Sequence, residues 1–549
     1  LRVGSGSMKL PAEPRLEAQR EVPWWHGAAI YQIYPRSFRD SNGDGIGDLL
    51  GISASLDYVA SLGVDAVWLS PFFTSPMKDF GYDIADYCDV DPIFGTLQDF
   101  DHLLETAHRH GLKVIIDQVY SHTSDQHPWF RQSGADRTNA RADWYVWADP
   151  KVDGSPPTNW QSVFGGSAWT WNARRGQYYM HNFLIEQPDL NVHNLEVQDA
   201  LLECARFWFK RGVDGFRLDA VNFTLHDLLL RDNPPAPTSQ RPRTRPVDFQ
   251  QSLYNRSHPD LPRFIERIRR VADEYGGFTV AEIGGEGSEA EMQLLTSGSA
   301  RFHSAYGFNF LYADRLTPEL IRTALAAWPE AQGMGWPSWA FSNHDAPRAV
   351  SRWSTPQHRA EYSQLAMLLL TCLRGNIFLY QGEELGLPQA HIGFEDLRDP
   401  EAIANWPSTL GRDGARTPMP WQSSAAHAGF STAAPWLPVC PEHFALAVDR
   451  QQHDASSQLA LTRRLIGLRR SSAALRAGSL RFIDAPTDLL VFERCSPGNR
   501  LLCVFNLGLG ERSWRPDTDR EWQFVDSVGG AEEWGFPPLS GLIARCPPP

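Results

Sequence analysis

Short apolar runs alternate with amphipathic stretches along most of the chain. Residues 28–34, 65–70 and 113–119 are nearly continuous apolar segments, which suits parallel strands buried on both faces. Between them the spacing turns helical, over 52–62 and 97–110, each stopped by a glycine (Gly63 and Gly111) of the kind that closes helices. The alternation resumes with a helix at 196–211, a strand at 213–220, a helix at 262–275 and a strand at 278–283. Further strands are predicted near 306–310, 339–342 and 376–381, with helices at 361–373 and 457–470. Eight such repeats predict an α/β chain of the (β/α)8 TIM-barrel class.

Two segments interrupt the repeat. Residues 120–182 are irregular and rich in Trp, Gly, Asn and Pro. A structureless loop of that length is uncommon inside a compact domain, so it reads as a small inserted domain forming one wall of a site. Residues 221–257 form a second insert, whose basic stretch 231–248 holds five prolines; it reads as a flap over the site or as a solvated loop. Barrel residues are then 22–119 and 183–477. From 478 to 549 the pattern changes to period two, at 480–483, 489–493, 501–505 and 522–525, which predicts a C-terminal all-β sandwich domain. Residues 1–21 are set aside as a tail. The first eight look like a cloning remnant ending in an internal start, Met8, and no apolar signal segment follows it.

Composition narrows the functions. A length of 549 residues calls for two or three domains. The formal charge of −14, with no Lys/Arg-rich stripe, argues against a nucleic-acid partner. Twenty Trp and 29 Phe leave aromatic faces to spare for stacking on sugar rings. Seven scattered cysteines with no C-x-x-C favour free thiols in a reducing compartment, hence a cytoplasmic location. The longest apolar stretch, around 365–373, is too short to span a bilayer, so no membrane partner is expected.

The chemistry lies at strand ends. Gly215-Phe216-Arg217-Leu218-Asp219-Ala220 delivers an arginine and an aspartate to one strand face, and a nearby cation favours the ionised carboxylate. Residues 113–122 end in Asp117 and then His122; 278–282 end in Glu282; 339–345 end in Asn343-His344-Asp345. Functional groups at the C-terminal ends of several parallel strands are where such a barrel keeps an active site.

These four runs, in order, resemble the four sequence regions of the α-amylase family (glycoside hydrolase family 13). A fifth, Gln187-Pro188-Asp189-Leu190-Asn191, is similar to the extra motif of its oligo-1,6-glucosidase and α-glucosidase branch. The resemblance spans residues 22–549 and implies a retaining glycosidase acting on small α-glucosides, with no organic cofactor. It assigns the nucleophile to Asp219, the acid/base to Glu282, and a third carboxylate that holds the sugar to Asp345. His122 and His344 match histidines that donate to the same sugar, Arg217 matches the partner of the nucleophile, and Asp117 is expected to support structure. Asp79 and Tyr82, in Asp79-Phe-Gly-Tyr82-Asp, match a run that closes the bottom of a pocket, and Arg412 matches the arginine that pairs with Asp79. Such a plug implies exo attack at a non-reducing end. Phe164 and Phe183 match aromatic wall positions. Glu286 is a second acidic residue near Glu282, and Trp421 stands where many relatives have Gln. In this branch a small residue after the nucleophile, here Ala220, goes with α-1,4 preference and a bulkier Val with α-1,6.

Asp40-Ser-Asn42-Gly-Asp44-Gly-Ile46-Gly-Asp48 places oxygen ligands at every second position, as in half of a calcium loop, but Gly51 stands where an EF-hand has its Glu. The resemblance implies structural Ca2+ or Mg2+ held by Asp40, Asn42, Asp44, the Ile46 carbonyl and Asp48. Three further readings stay open: glucosyl transfer to a sugar or alcohol, sucrose or trehalose isomerisation, and a non-catalytic transporter-associated barrel. The sequence leaves monomer and dimer equally open.

Overall fold

The computed structural model describes residues 22–238, 243, 245–285, 287–330, 333–409, 411–517 and 521–547. Eight parallel strands close a barrel: β1 (Ala29–Ile33), β2 (Ala66–Leu69), β3 (Lys113–Val119), β4 (Gly215–Asp219), β5 (Phe278–Ile283), β6 (Ser304–Gly307), β7 (Trp336–Ala340) and β8 (Asn376–Tyr380). Each strand pairs with its neighbours in the sequence, and β8 pairs back onto β1. Alternate residues face inward. Ile30, Trp68, Ile115, Val280, Tyr306 and Phe378 fill the barrel interior, while Tyr31, Val67, Ile116, Phe216 and Ile283 pack outward under the helices. Both faces are dry, which is why the strands read as continuous apolar runs. Gly215 starts β4 because a side chain there would meet the Phe278 carbonyl oxygen at 2.7 Å.

Local chemistry sets the helix ends. The helix Leu97–Arg109 opens on a capping box, Thr96 with Asp99. Leu195–Arg211 opens on the Asn194 side chain and stops at Gly212, whose φ of 106° suits only glycine comfortably. The helix expected at 52–62 is two pieces, Leu49–Ser53 and Leu56–Ser61. The Ser53 and Ser55 hydroxyls donate to the Leu49 and Gly51 carbonyls, and such local bonds compete with a continuous helix. β6 begins two residues earlier than expected and ends at Gly307, and β7 runs three residues earlier, so Asn343, His344 and Asp345 lie on the loop beyond it.

Within 120–182 a short helix, Pro128–Ser133, precedes an antiparallel sheet of Trp147–Ala148, Gln177–Met180 and Trp169–Asn172, with its own core around Val146, Trp160, Trp169 and Met180. The expected flap at 231–248 falls partly outside the described residues, and the tail 1–21 and Glu286 lie wholly outside them. The C-terminal residues build an antiparallel sheet in the order β9 (Ser479–Ile483), β10 (Leu489–Ser496), β11 (Asn499–Asn506), β13 (Ser540–Cys546), β12 (Gln523–Val528), with a two-stranded ribbon of Arg512–Ser513 and Gly535–Phe536 beside it. All seven cysteines are unpaired. Among the described residues no helix is long and apolar enough to cross a membrane.

Two buried arginines stitch this sheet and the last barrel helix to the barrel. Arg494 donates to the Cys372 and Gly478 carbonyls at 2.7 and 3.0 Å. Arg469, 1% exposed, donates to the carbonyls of Thr371 (2.7 Å), Leu373 (3.0 Å) and Gly27 (3.2 Å) and to that of Gly375. Arg469→Met leaves those carbonyls buried without a donor, and losing charged hydrogen bonds of this kind costs about 3 kcal/mol or more. Calorimetry should show a Tm several degrees lower with the specific activity of the folded protein retained.

Candidate active site

The site lies where the C-terminal ends of β2, β3, β4, β5 and β7 converge. The register sets Asp117 of β3 beside Arg217 of β4, and Glu282 of β5 beside Tyr306 of β6. All four face inward. Arg217 is completely buried and bridges three carboxyls: Nη1 lies 2.5 Å from Asp117 and 2.6 Å from Asp219, and Nη2 lies 2.5 Å from Glu282. The Tyr306 hydroxyl accepts from Arg217 Nε and Nη2 at 3.1 and 3.0 Å and donates to Glu282 Oε1 at 3.1 Å. Trp68 donates to Asp117 at 2.8 Å and carries the guanidinium over its ring. Asp117 thus has no free face and supports Arg217, as expected.

Burial decides the protonation. It pushes Asp219 up to about 7, with Arg217 pulling the other way. Arg217 does lower this carboxyl, but it is shared with Asp117 and Glu282 and so does not override burial. Burial also pushes Glu282 up to about 7, opposed by Arg217 and helped by Asp219 and Asp345. Burial pushes Asp117 up to about 7 as well, so three carboxyls share one guanidinium and their protons come off in coupled steps. Near neutral pH the first to ionise helps to keep its neighbours protonated.

Asp345 differs. Burial pushes it up, but His344, Arg416 and Arg412 more than offset this and hold it well below the usual carboxylate range. Burial drives His344 itself down to about 3, so the imidazole acts as a neutral donor and the two arginines carry the charge. Arg416 Nη2 lies 2.7 Å from Asp345 and Arg412 Nη1 lies 3.5 Å away. Gln32 donates to His344 Nδ1 at 2.7 Å, which leaves the ring proton on Nε2, between the Tyr82 hydroxyl (2.5 Å) and Asp345 (3.2 Å). Tyr82 also stacks on the His344 ring. His122, likewise driven to about 3 by burial, sits with Nε2 near Gln187 Nε2 (3.1 Å) and the Tyr82 carbonyl (3.2 Å).

Asp79 pairs with Arg412 at 2.8 Å and accepts from Gln187 at 3.2 Å. Phe164 lies under the Arg412 guanidinium at 5.1 Å, and Phe183 packs between Phe164 and His122. The structure therefore gathers Asp79, Tyr82, His122, Phe164, Phe183, Arg217, Asp219, Glu282, His344, Asp345 and Arg412 in one place. Sequence reasoning missed Tyr306, Trp68, Gln32 and Asp399. The last clamps Arg412 from behind. Only barrel register and loop packing reveal these four. Gln187 stood inside a motif already singled out, and Arg416 lies four residues after Arg412. Trp421 packs edge-on against Phe38 and donates to its carbonyl at 2.7 Å, a core role. Ala220 has a left-handed φ of 39° and donates its N–H to Glu282 Oε2 at 3.1 Å; a β-branched residue is costlier there.

The Asp40 loop holds itself together. Asp40 accepts from the N–H groups of Asn42, Gly43 and Gly45 and from Ser431; Asn42 and Asp44 accept from Asp44 and Ile46; Asp48 accepts from Ser41 and Gly51. Among the described residues no group of three His, Cys, Asp or Glu side chains gathers as metal ligands. These hydrogen bonds close the loop on itself.

Comparison with known proteins agrees with this geometry. Residues 32–478 match the alpha amylase catalytic domain. A probable alpha-glucosidase of Rhizobium meliloti (strain 1021) is 51% identical over 501 residues, 90% of each chain. An oligo-1,6-glucosidase of Heyndrickxia coagulans is 36% identical, over 93% of this chain and 96% of the relative. The crystal structure of the alpha-glucosyl transfer enzyme XgtA has a TM-score of 0.91 at 48% identity, covering 96% of this chain and all of the other. The chain belongs to the α-amylase family of glycoside hydrolases, in its oligo-1,6-glucosidase and α-glucosidase branch.

A carboxyl raised on folding, as Glu282 is, adds stability that is complete below its unfolded value of about 4.5 and is lost as pH rises through its folded value. By pH 8 the ionised, buried Glu282 costs about 3 kcal/mol. Glu282→Gln should therefore raise Tm at pH 8 and leave it nearly unchanged at pH 4.5. Thermal melts at the two pH values check this, and equal shifts at both would contradict the raised carboxyl.

Proposed function

We propose that this enzyme is an exo-acting, retaining α-glucosidase that releases α-glucose from the non-reducing end of short α-glucosides. The observation that carries the reading is the pairing of Asp219 and Glu282 on adjacent strands through one buried guanidinium. Double displacement needs the two carboxyls close, at roughly 5–5.5 Å, and a shared guanidinium on adjacent strands keeps Asp219 and Glu282 near each other. Asp219 attacks the anomeric carbon while the bond to the leaving oxygen breaks, and Glu282 gives that oxygen its proton. Water then attacks the glucosyl ester, Glu282 takes back a proton, and Asp219 is freed. The Asp79–Arg412 pair, backed by Tyr82 and Phe164, would close the far end of the pocket and hold the terminal hydroxyls, which favours exo attack. Asp345, kept ionised by Arg416 and Arg412, is suited to binding sugar hydroxyls beside the reacting carbon.

Ala220 supports an α-1,4 preference, since it leaves more room on the aglycone side than Val. The unpaired cysteines support a cytoplasmic location. A second reading, transfer of the glucosyl unit to a sugar or alcohol, is favoured by the 48% identity to XgtA, called an alpha-glucosyl transfer enzyme. Hydrolysis and transfer part only at the second step, by what attacks the ester.

Asp219→Asn should lower kcat on maltose by about 10⁴-fold or more without changing the circular-dichroism spectrum. Proton NMR of wild-type digests should show α-glucose first, with maltose cleaved faster than isomaltose. β-Glucose first would end the retaining mechanism; faster isomaltose cleavage would end the linkage argument; new oligosaccharides in place of glucose would favour transfer.

The Asp40 loop offers an all-oxygen donor set, which suits Ca2+ or Mg2+. A structural ion there would be held by Asp40, Asn42, Asp44, the Ile46 carbonyl and Asp48. Adding Ca2+ to the chelator-treated protein should raise Tm, and Asp44→Ala should abolish the rise. An unchanged Tm would mean that the loop's own hydrogen bonds suffice.

A further inference from the structure

Arg412 is held by more than its pocket partner. Its Nη2 lies 2.8 Å from both Asp79 and Asp399, its Nε donates to Asp399 at 3.1 Å, and its main-chain N–H donates to the other Asp399 oxygen at 2.7 Å. Asp399 thus grips one arginine at both its backbone and its guanidinium. Its remaining acceptor capacity goes to the Glu401 N–H at 3.1 Å, as it caps the short helix Pro400–Ala404. Asp399 is 0% exposed, so no sugar hydroxyl reaches it. It is anchored in turn by Asp413, whose Oδ2 accepts from the Arg398 and Asp399 N–H groups at 2.7 and 2.8 Å. Asp79 is 4% exposed and Asp345 stands in the opening.

Charge explains why such a clamp matters. Arg412 and Arg416 face Asp79, Asp345 and Asp399. Without the Asp399 charge, the Arg412 guanidinium has Asp79 as its one close carboxylate, with Asp345 and Glu401 further away. It would turn fully onto Asp79 and occupy the oxygens that a sugar hydroxyl needs. With Asp399 behind it, Arg412 points into the pocket while sharing its charge.

We propose that Asp399 is a positioning residue for glucose recognition: it sets the orientation of Arg412 and so keeps Asp79 available to the terminal sugar. This rests on the dead-end pocket reading above. Asp399 touches no reacting atom, so its loss should appear in binding more than in the chemical step.

The test is a double-mutant cycle of Asp399→Asn, Arg412→Ala and the double variant, read with 4-nitrophenyl α-glucoside and with glucose as inhibitor. Asn retains the shape and the helix cap while removing the charge. Asp399→Asn should lower kcat/KM about 100-fold, with KM and the glucose inhibition constant rising together and kcat changing far less. In the Arg412→Ala background the same substitution should have almost no further effect, because there is no guanidinium left to position. Circular dichroism and Tm establish that each variant folds; Asp399→Ser replaces Asp399→Asn, and Arg412→Gln replaces Arg412→Ala, in the same cycle where either does not. Independent, multiplying losses would overturn the role of Asp399 while leaving the pocket intact. Arg412→Ala with wild-type kcat/KM would overturn the pocket reading itself and this proposal with it, as would a wild type that turns over no α-glucoside.

Discussion

The active centre depends on one buried cation. Arg217 has no solvent contact and meets Asp117, Asp219 and Glu282 at hydrogen-bond distance. A guanidinium is suited to this because it is always charged and presents donors in a fixed fork. A buried charge left unpaired costs far more than a paired one gains, so the buried arginine needs carboxyl partners around it. The fold meets that demand with register: parallel strands β3, β4 and β5 place the residues at neighbouring inward positions. Tyr306 on β6 fills the last side of the fork.

The same economy of charge recurs at the pocket floor. Arg412 and Arg416 stand among Asp79, Asp345 and Asp399, and the pull is unequal. Asp345 is held low and stays ionised, whereas burial raises Asp79 despite Arg412. The neighbouring histidines are kept neutral by burial and serve as fixed donors and acceptors. The site therefore holds two kinds of acid: carboxyls that burial raises toward neutrality, and a strongly ionised carboxylate with neutral imidazoles around it.

These arrangements also explain where stability is spent. Raised carboxyls at Asp117, Asp219 and Glu282 burden the folded state above neutral pH, and Ala220 holds a left-handed conformation beside Asp219. The compensation lies elsewhere, in the dry barrel interior.

The sequence by itself determined the class of fold and pointed to the carboxyls that the structure gathers. Strands buried on both faces leave an unbroken apolar signature, and acidic side chains at strand ends follow such runs directly, as Asp219 and Glu282 do. Helix ends were legible where a single residue decides them, as at Gly212, and failed at 52–62, where serine hydroxyls divert the backbone. What only the tertiary structure decided are the partners. Tyr306 sits beside Glu282, Trp68 beneath Arg217, and Asp399 behind Arg412, pairs separated by 24 residues or more or joined across a loop. Barrel closure and loop packing set these contacts, and neither leaves a local periodicity. Protonation belongs to the same category: a cation two residues from an aspartate predicts a lowered carboxyl, but burial and the sharing of that cation among three acids decide the outcome.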